Sequence, residues 1–161
     1  MGTAMGRPMS EMSDADVSRI VDIGDKDRTR REAVAEATIS MTTDACAQLI
    51  AGTPKGNPLE AARIAALQGV KRTPDLLPFC HPVAVTGADV TLEPDEATGR
   101  IVVRVTVRAF DRTGVEMEAL TAAAVGALCL YDTAKAYDRS AVISNVRLVS
   151  KRGGSKGDYQ V

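Results

Sequence analysis

The chain has 161 residues, with 20 Lys plus Arg, 21 Asp plus Glu and a formal net charge of −1. That size suggests one domain, and the charge balance exerts no overall pull on nucleic acid or an anionic membrane, so any anion site must be a local cluster. Aromatic residues make up 3% of the sequence, too few for a base-stacking surface, and no run reaches the roughly 20 apolar residues of a membrane-spanning helix. Residues 1–17 read as a disordered leader. Its first part, Met1–Ser13, lacks the basic start and apolar stretch of a secretory signal, which makes the cytoplasm the default location.

Order is expected from Ile20-Val21-Asp22-Ile23, followed by a charged loop over Gly24–Arg31. Ala33–Ser40 alternates Val34, Glu36 and Thr38 with Ala33, Ala35, Ala37 and Ile39, a period-2 pattern that predicts a strand. The first strand is therefore Ile20–Ile23, Ala33–Ser40 or both. Thr43-Asp44 can start a helix that Gly52 ends. After the loop Thr53–Gly56, Asn57 reads as an N-cap and Pro58 as the first residue of a helix to about Lys71. Three prolines then predict a stiff, irregular segment over Thr73–Pro82.

Val83–Glu93 and Arg100–Phe110 read as a hairpin joined by Pro94–Gly99. In the second strand Ile101, Val103, Val105 and Val107 form an apolar row against Val102, Arg104, Thr106 and Arg108. Val115–Tyr137 is expected to be a long Ala-rich helix and Ala141–Val149 a last strand. The resulting order is β-α-β-β-α-β with one extra helix, an α+β domain of ferredoxin-like type with an antiparallel sheet packed on helices. It spans residues 18–150, and 151–161 reads as a Gly-rich basic tail.

The long helix carries no charge between Ala119 and Tyr131. A helix that is apolar all round is buried on several sides, yet a small sheet covers only one, so its other side is expected to meet another subunit. Glu118 and Asp132 lie fourteen positions apart, about 21 Å along a helix axis. They cannot share one small pocket within a chain. Either the helix ends serve two sites or one site combines ends from different chains. Asp132 and Lys135 are neighbours on one face, a spacing equally consistent with an ordinary surface pair.

The segment Thr73–Pro82 ends on the only histidine, His81, held in place by prolines and suited to binding or acid–base work. A buried, carbonyl-bonded histidine would look the same. Cys80 beside it is too close in sequence for a two-ligand metal grip. Cys46, Cys80 and Cys129 are far apart and lack a Cys-x-x-Cys pair, so neither disulfides nor a zinc site is expected. Lys55-Gly56 precedes a helix N-terminus, whose free amides favour an anion. A solvated loop lysine is the plainer reading. Arg28, Arg30, Arg31, Lys71, Arg72, Lys151 and Arg152 add basic groups, and the Lys151–Gly157 stretch can either close over an anion or fray.

Several motifs together resemble the MoaC family. They are Lys55-Gly56-Asn57, Ala62-Arg63-Ile64-Ala65, Lys71-Arg72-Thr73, Asp75–Pro82 ending Phe-Cys-His-Pro, Thr113-Gly114-Val115-Glu116-Met117-Glu118-Ala119-Leu120-Thr121, Tyr131-Asp132-x-x-Lys135-Ala136 and Gly153-Gly154. Phe79 stands where the family usually has Leu, Pro58 follows Asn57, and the tail reads Gly-Gly-Ser-Lys-Gly. The resemblance implies a ferredoxin-like fold and synthesis of cyclic pyranopterin monophosphate from 3′,8-cyclo-7,8-dihydroguanosine 5′-triphosphate. Diphosphate is released, in molybdenum cofactor biosynthesis, without a metal or organic cofactor. It implies a homohexamer, a trimer of dimers, with sites at subunit interfaces. By motif position, Asp132, Lys135, Lys55 and His81 are the implied catalytic groups. Phe79, Cys80, His81, Glu116, Met117, Glu118 and Lys151 are the implied substrate-binding groups. The alternative is a non-catalytic purine-nucleotide-binding module on the same fold. A nucleic-acid binder is disfavoured by the net charge and the scarce aromatics.

Overall fold

The structure, a computed structural model, describes residues 18–155 and 157–161, so the expected leader 1–17 lies outside the described residues. The elements are β1 (Thr29–Ser40), α1 (Thr43–Ala51), α2 (Pro58–Leu76), β2 (Val85–Asp95), β3 (Arg100–Asp111), α3 (Glu116–Ala134), β4 (Val142–Arg152) and β5 (Tyr159–Gln160). The sheet runs β2-β3-β1-β4-β5 with every pair antiparallel. Its β-α-β-β-α-β order is ferredoxin-like, with α1 as the extra helix.

Alternation decides which face of the sheet is covered. Ala33, Ala35, Ala37 and Ile39 of β1 and Ile101, Val103, Val105 and Val107 of β3 are fully buried. They meet Ala119, Ala122, Ala123, Ala127 and Leu130 of α3 in one core. The opposite face is polar and tied by ion pairs. Glu36 there binds Arg104 at 2.9 Å and Arg147 at 2.7 Å, and Arg108 pairs with Glu32 and Asp89.

Several boundaries differ from the sequence reading, each for a physical reason. Ile20–Ile23 forms no strand, and Thr29–Arg31, expected in a loop, already belong to β1 because they pair with Ala109–Asp111. The N-cap of α1 is Thr42, whose hydroxyl accepts from the Ala45 N–H. The helix α2 runs on to Leu76 through Pro74. Thr73 is buried and donates its hydroxyl to the Gly69 carbonyl, and the Leu77 N–H reaches the Thr73 carbonyl. The irregular segment is thus shorter than expected and starts at Leu77. The helix α3 begins after Val115 and ends at Ala134, with Lys135 as its C-cap.

Pro94 lies inside β2, an edge strand, where a missing N–H is tolerated. Gly99 turns the hairpin with φ of 65°, and its carbonyl accepts from the Met41 N–H at 2.8 Å. The expected basic tail begins within β4, since Lys151 and Arg152 pair with β1. Further on, β5 returns alongside β4, and the Val161 N–H bonds the Val149 carbonyl.

The two long helices cross at small residues. A Cβ placed on Gly69 of α2 would lie 3.0 Å from the Ala122 Cα of α3. That neighbour is backbone and cannot rotate away. Gly69→Val should therefore destabilise the protein by about 1–3 kcal/mol through overpacking, read as a lower urea midpoint at unchanged m-value.

Candidate active site

Two polar clusters form at opposite ends of α3. The first gathers around its N-terminus. The loop after α2 is held by the Leu77 cap and by the Cys80 N–H bonded to the Leu77 carbonyl at 3.1 Å. Asp111 ties this loop region to the turn that precedes α3. Its carboxylate accepts from the Ala84 N–H at 2.9 Å and from the Arg112 N–H at 2.8 Å. Those two amides hold the Asp111 pKa below the usual carboxylate range, against a smaller opposing effect of desolvation. The result is a cavity of about 300 Å³ lined by Phe79, Cys80, His81, Glu116, Met117 and Glu118. Six implied substrate-binding residues from two distant motifs therefore meet in one hollow. Lys151 joins them from β4, with its Nζ 3.4 Å from Glu116 Oε1.

Glu118 differs from its neighbours. It is 3% exposed and has no ion pair among the described residues. Burial pushes its pKa up; its own backbone N–H opposes this, and the Glu116 charge adds to it. Glu118 also lines a second, more apolar groove of about 700 Å³ beside Leu67, Val70, Pro74 and Val83. The Cys80 thiol is likewise pushed up, first by burial and then by the Glu118 charge.

The second cluster lies at the C-terminal end of α3. Asp132 Oδ1 is 2.7 Å from Lys135 Nζ, and both side chains are exposed. The hydrogen bond from Lys135, then its charge, holds the Asp132 pKa down, and the Lys55 charge lowers it further against weak desolvation. Reciprocally, the Asp132 bond and charge raise the Lys135 pKa. Lys55 sits in a tight turn where Thr53 and Gly56 pair. The free helix amides expected beside it are not free: Asn57 Oδ1 accepts from the Leu59 and Glu60 N–H groups at 3.0 and 3.1 Å. Lys55 thus has no vacant helix N-terminus beside it, and its charge is felt at Asp132.

The clusters stay apart within the chain. The helix α3 is unbroken from Glu116 to Ala134, so Glu118 and Asp132 remain about 21 Å apart along its axis. A separate hollow of about 630 Å³ lies on the polar sheet face, lined by Arg30, Arg108, Phe110 and Arg152 among others. It contains none of the motif residues of either cluster.

Residues 20–154 match the MoaC family. The chain belongs to the MoaC family. It is 49% identical over 142 residues to a cyclic pyranopterin monophosphate synthase of Geobacter sulfurreducens, covering 88% of this chain and 89% of that one. It is 47% identical over 155 residues to the enzyme of that name from Roseiflexus sp., covering 94% and 98%. With that of Parvibaculum lavamentivorans it shares 44% over 156 residues, covering 96% and 97%.

For this MoaC family member, sequence reasoning missed Asp111 as the organiser of the His81 loop. It also left Arg31 among general basic groups. Arg31 reaches across the sheet end to donate to the Asp111 and Arg112 carbonyls, both at 3.3 Å. The only signal was the Asp-Arg-Thr-Gly turn itself, which says nothing about what docks on it.

Glu118 generates a pH prediction. Its folded pKa lies above its unfolded value, so the folded state binds the extra proton. Stability then falls as pH rises from the unfolded glutamate pKa, about 4.3, through the higher folded one. Glu118→Gln removes this penalty. At neutral pH the variant should melt higher by a few degrees, about 2–4 °C per kcal/mol for a chain of this size. Below about pH 4 the difference should vanish, as thermal melts across pH will read.

Proposed function

We propose that the chain converts 3′,8-cyclo-7,8-dihydroguanosine 5′-triphosphate to cyclic pyranopterin monophosphate and diphosphate in molybdenum cofactor biosynthesis. Membership of the MoaC family, with relatives named for this synthesis, supports the reading. The observation that carries it is the sorting of the motif residues into two chemically different clusters. One cluster holds a carboxylate in its charged form, Asp132, paired with Lys135 and stabilised further by the Lys55 charge. The other holds a carboxyl, Glu118, biased toward its neutral form beside His81 and Cys80.

Opening and reclosing a purine ring requires proton removal and proton delivery at different atoms. Asp132 is kept ionised and takes the role of base, with Lys135 and Lys55 supplying positive charge to developing anions. Phe79, Cys80, His81, Glu116, Met117, Glu118 and Lys151 bind substrate, with His81 acting on ring or phosphate atoms. The reaction calls on no metal or organic cofactor in this reading. The enzyme works in the cytoplasm.

One active site draws on two subunits of a homohexamer, a trimer of dimers. Met117, Thr121, Ala124 and Leu128 fall on one outward stripe of α3, with Met117 40% and Leu128 59% exposed. A two-fold contact buries the same stripe on both partners. Two such helices crossing antiparallel set the Glu118 end of one beside the Asp132 end of the other. This disposes of the 21 Å estimate as an obstacle.

The direct test is incubation of the purified protein with the cyclised triphosphate, scoring diphosphate and pyranopterin. Binding without product would return the chain to a non-catalytic module. Asp132→Asn should abolish turnover with the oligomer intact; activity within a few-fold of wild type would remove Asp132 from the mechanism. Lys55→Ala should weaken kcat/KM by the equivalent of about 1.5–3 kcal/mol, the worth of a charge-assisted bond, with an unchanged melting temperature. Mixing Asp132→Asn with His81→Ala subunits should restore part of the activity once exchange is confirmed by mass spectrometry. No recovery in verified mixed oligomers, with Glu118→Ala tried in place of His81→Ala, would defeat the shared site.

A further inference from the structure

Strand β4 carries an extra residue where it passes β1. Val34 pairs with Ser150 but Ala35 with Leu148, so Val149 has no partner on β1. Such a bulge re-aims the side chains beyond it. Leu148 and Lys151 are three positions apart and would face opposite sides of a regular strand. Here both stand opposite core residues, Ala35 and Ala33, which are fully buried on the α3 side. The bulge therefore brings Lys151 to the α3 side, with its Nζ 3.4 Å from Glu116 Oε1. In an unbulged strand it would join Arg104, Arg108 and Arg147 on the opposite face.

The tail of the chain closes on this irregularity. The Val161 N–H donates to the Val149 carbonyl at 3.0 Å, and β5 sets Gln160 opposite Ser150 and Tyr159 opposite Lys151. Two contacts fix the turn that brings β5 back. Gly153 has φ of 87°, and a Cβ on it would lie 2.1 Å from the Arg30 carbonyl oxygen, so only glycine lets the chain turn against β1 there. Asp158 Oδ1 accepts from the Gly153 N–H at 3.0 Å, a side chain bridging the two ends of the turn. Asp158, Tyr159 and Val161 line a hollow of about 610 Å³ together with Glu116, Leu148 and Lys151, so the tail forms part of the wall around the Lys151–Glu116 pair. Two paired residues alone make a marginal strand; the Asp158 bond adds the missing constraint.

We propose that Asp158 is a positioning residue for Lys151: it closes the β4–β5 turn, holds β5 against the Val149 bulge and thereby keeps the lysine on the α3 side of the sheet beside Glu116. That Lys151 binds substrate rests on the proposed function; the clamp on it does not. Asp158 acts through Lys151 and not on the substrate.

Acylation of lysines in the full chain by a succinimidyl ester, quantified for each peptide by mass spectrometry, tests the clamp without turnover. Asp158→Ala should raise Lys151 labelling by about threefold as the hairpin opens locally, with Lys71 of α2 unchanged as the internal reference. Asp158→Asn, whose carbonyl oxygen can still accept from the Gly153 N–H, should label like wild type. Val161→Pro removes the donor to Val149 by an independent route and should act like Asp158→Ala, so the test stands if one variant fails to fold. In turnover of the cyclised triphosphate, Asp158→Ala should raise KM by about tenfold with kcat within about twofold of wild type, and Asp158→Asn should restore both. Unchanged Lys151 labelling in Asp158→Ala and Val161→Pro, equal effects of Asp158→Asn and Asp158→Ala, or raised labelling with an unaltered KM would each overturn the assignment. Raised labelling in variants of a protein whose wild type leaves the cyclised triphosphate unconverted would sink the proposed function and keep the clamp.

Discussion

A straight helix packed through small side chains dictates where chemistry can sit in this molecule. Gly69 and Ala122 let α2 and α3 approach backbone to backbone, and Ala119, Ala123 and Ala127 leave α3 close against the sheet. Nothing in such packing permits a bend. A kink needs proline, an inserted water or a widened turn, and α3 contains no proline between Glu116 and Ala134. The polar groups of its two ends are therefore fixed points. The loops that serve them are organised from elsewhere: Asn57 and the Thr53–Gly56 turn at one end, Asp111 at the other.

The two ends also obey different electrostatics, and magnitudes explain why. Glu118 stands in the first turn of α3, where the helix dipole favours a negative charge by about 0.3–1 kcal/mol. Burial without an opposite charge costs a carboxylate several kcal/mol, so desolvation outweighs the dipole and the pKa rises. Asp132 stands near the C-terminus, where the dipole disfavours negative charge. It is nevertheless held ionised, because water screens the dipole there and Lys135 lies within hydrogen-bonding distance. Sequence position on the helix gives the opposite expectation at both ends. Burial and partners decide.

Much of this fold was legible because its period was. The apolar row of Ile101, Val103, Val105 and Val107, the Asn57-Pro58 helix start and the uncharged run from Ala119 to Tyr131 each state their element directly. What escaped was set by contacts distant in sequence. Thr29–Arg31 look like a charged loop until Ala109–Asp111 pair with them. Pro74 is the local exception: its helix-breaking signal is overridden by the buried Thr73 and its bond to Gly69, one turn back. The glycines of the tail read as fraying, yet the chain returns as β5. At the candidate site, motif spacing named residues that the fold gathers into two clusters, but not their hydrogen-bond partners. Asp111 and Arg112 belong to a turn whose importance depends on Ala84 and Arg31, more than twenty and eighty positions away.

The two faces of the sheet complete the logic of the molecule. Its uncovered face is studded with charge, but the charges are already mutually satisfied: Glu36 is nearly buried between Arg104 and Arg147. Docking a partner there would desolvate paired ions, a cost that packing rarely recovers. The helix layer offers the reverse, with Ile64, Leu67, Met117 and Leu128 exposed and no competing ion network along the uncharged stretch of α3. Apolar surface removed from water is worth about 25 cal/mol per Å², so association is favoured on the helix side. That is the side on which both ends of α3 emerge. The same shortage of aromatic bulk that makes the helices pack closely thus leaves their outer stripe narrow and apolar, and it is on this stripe that the proposed sharing of one site between two subunits rests.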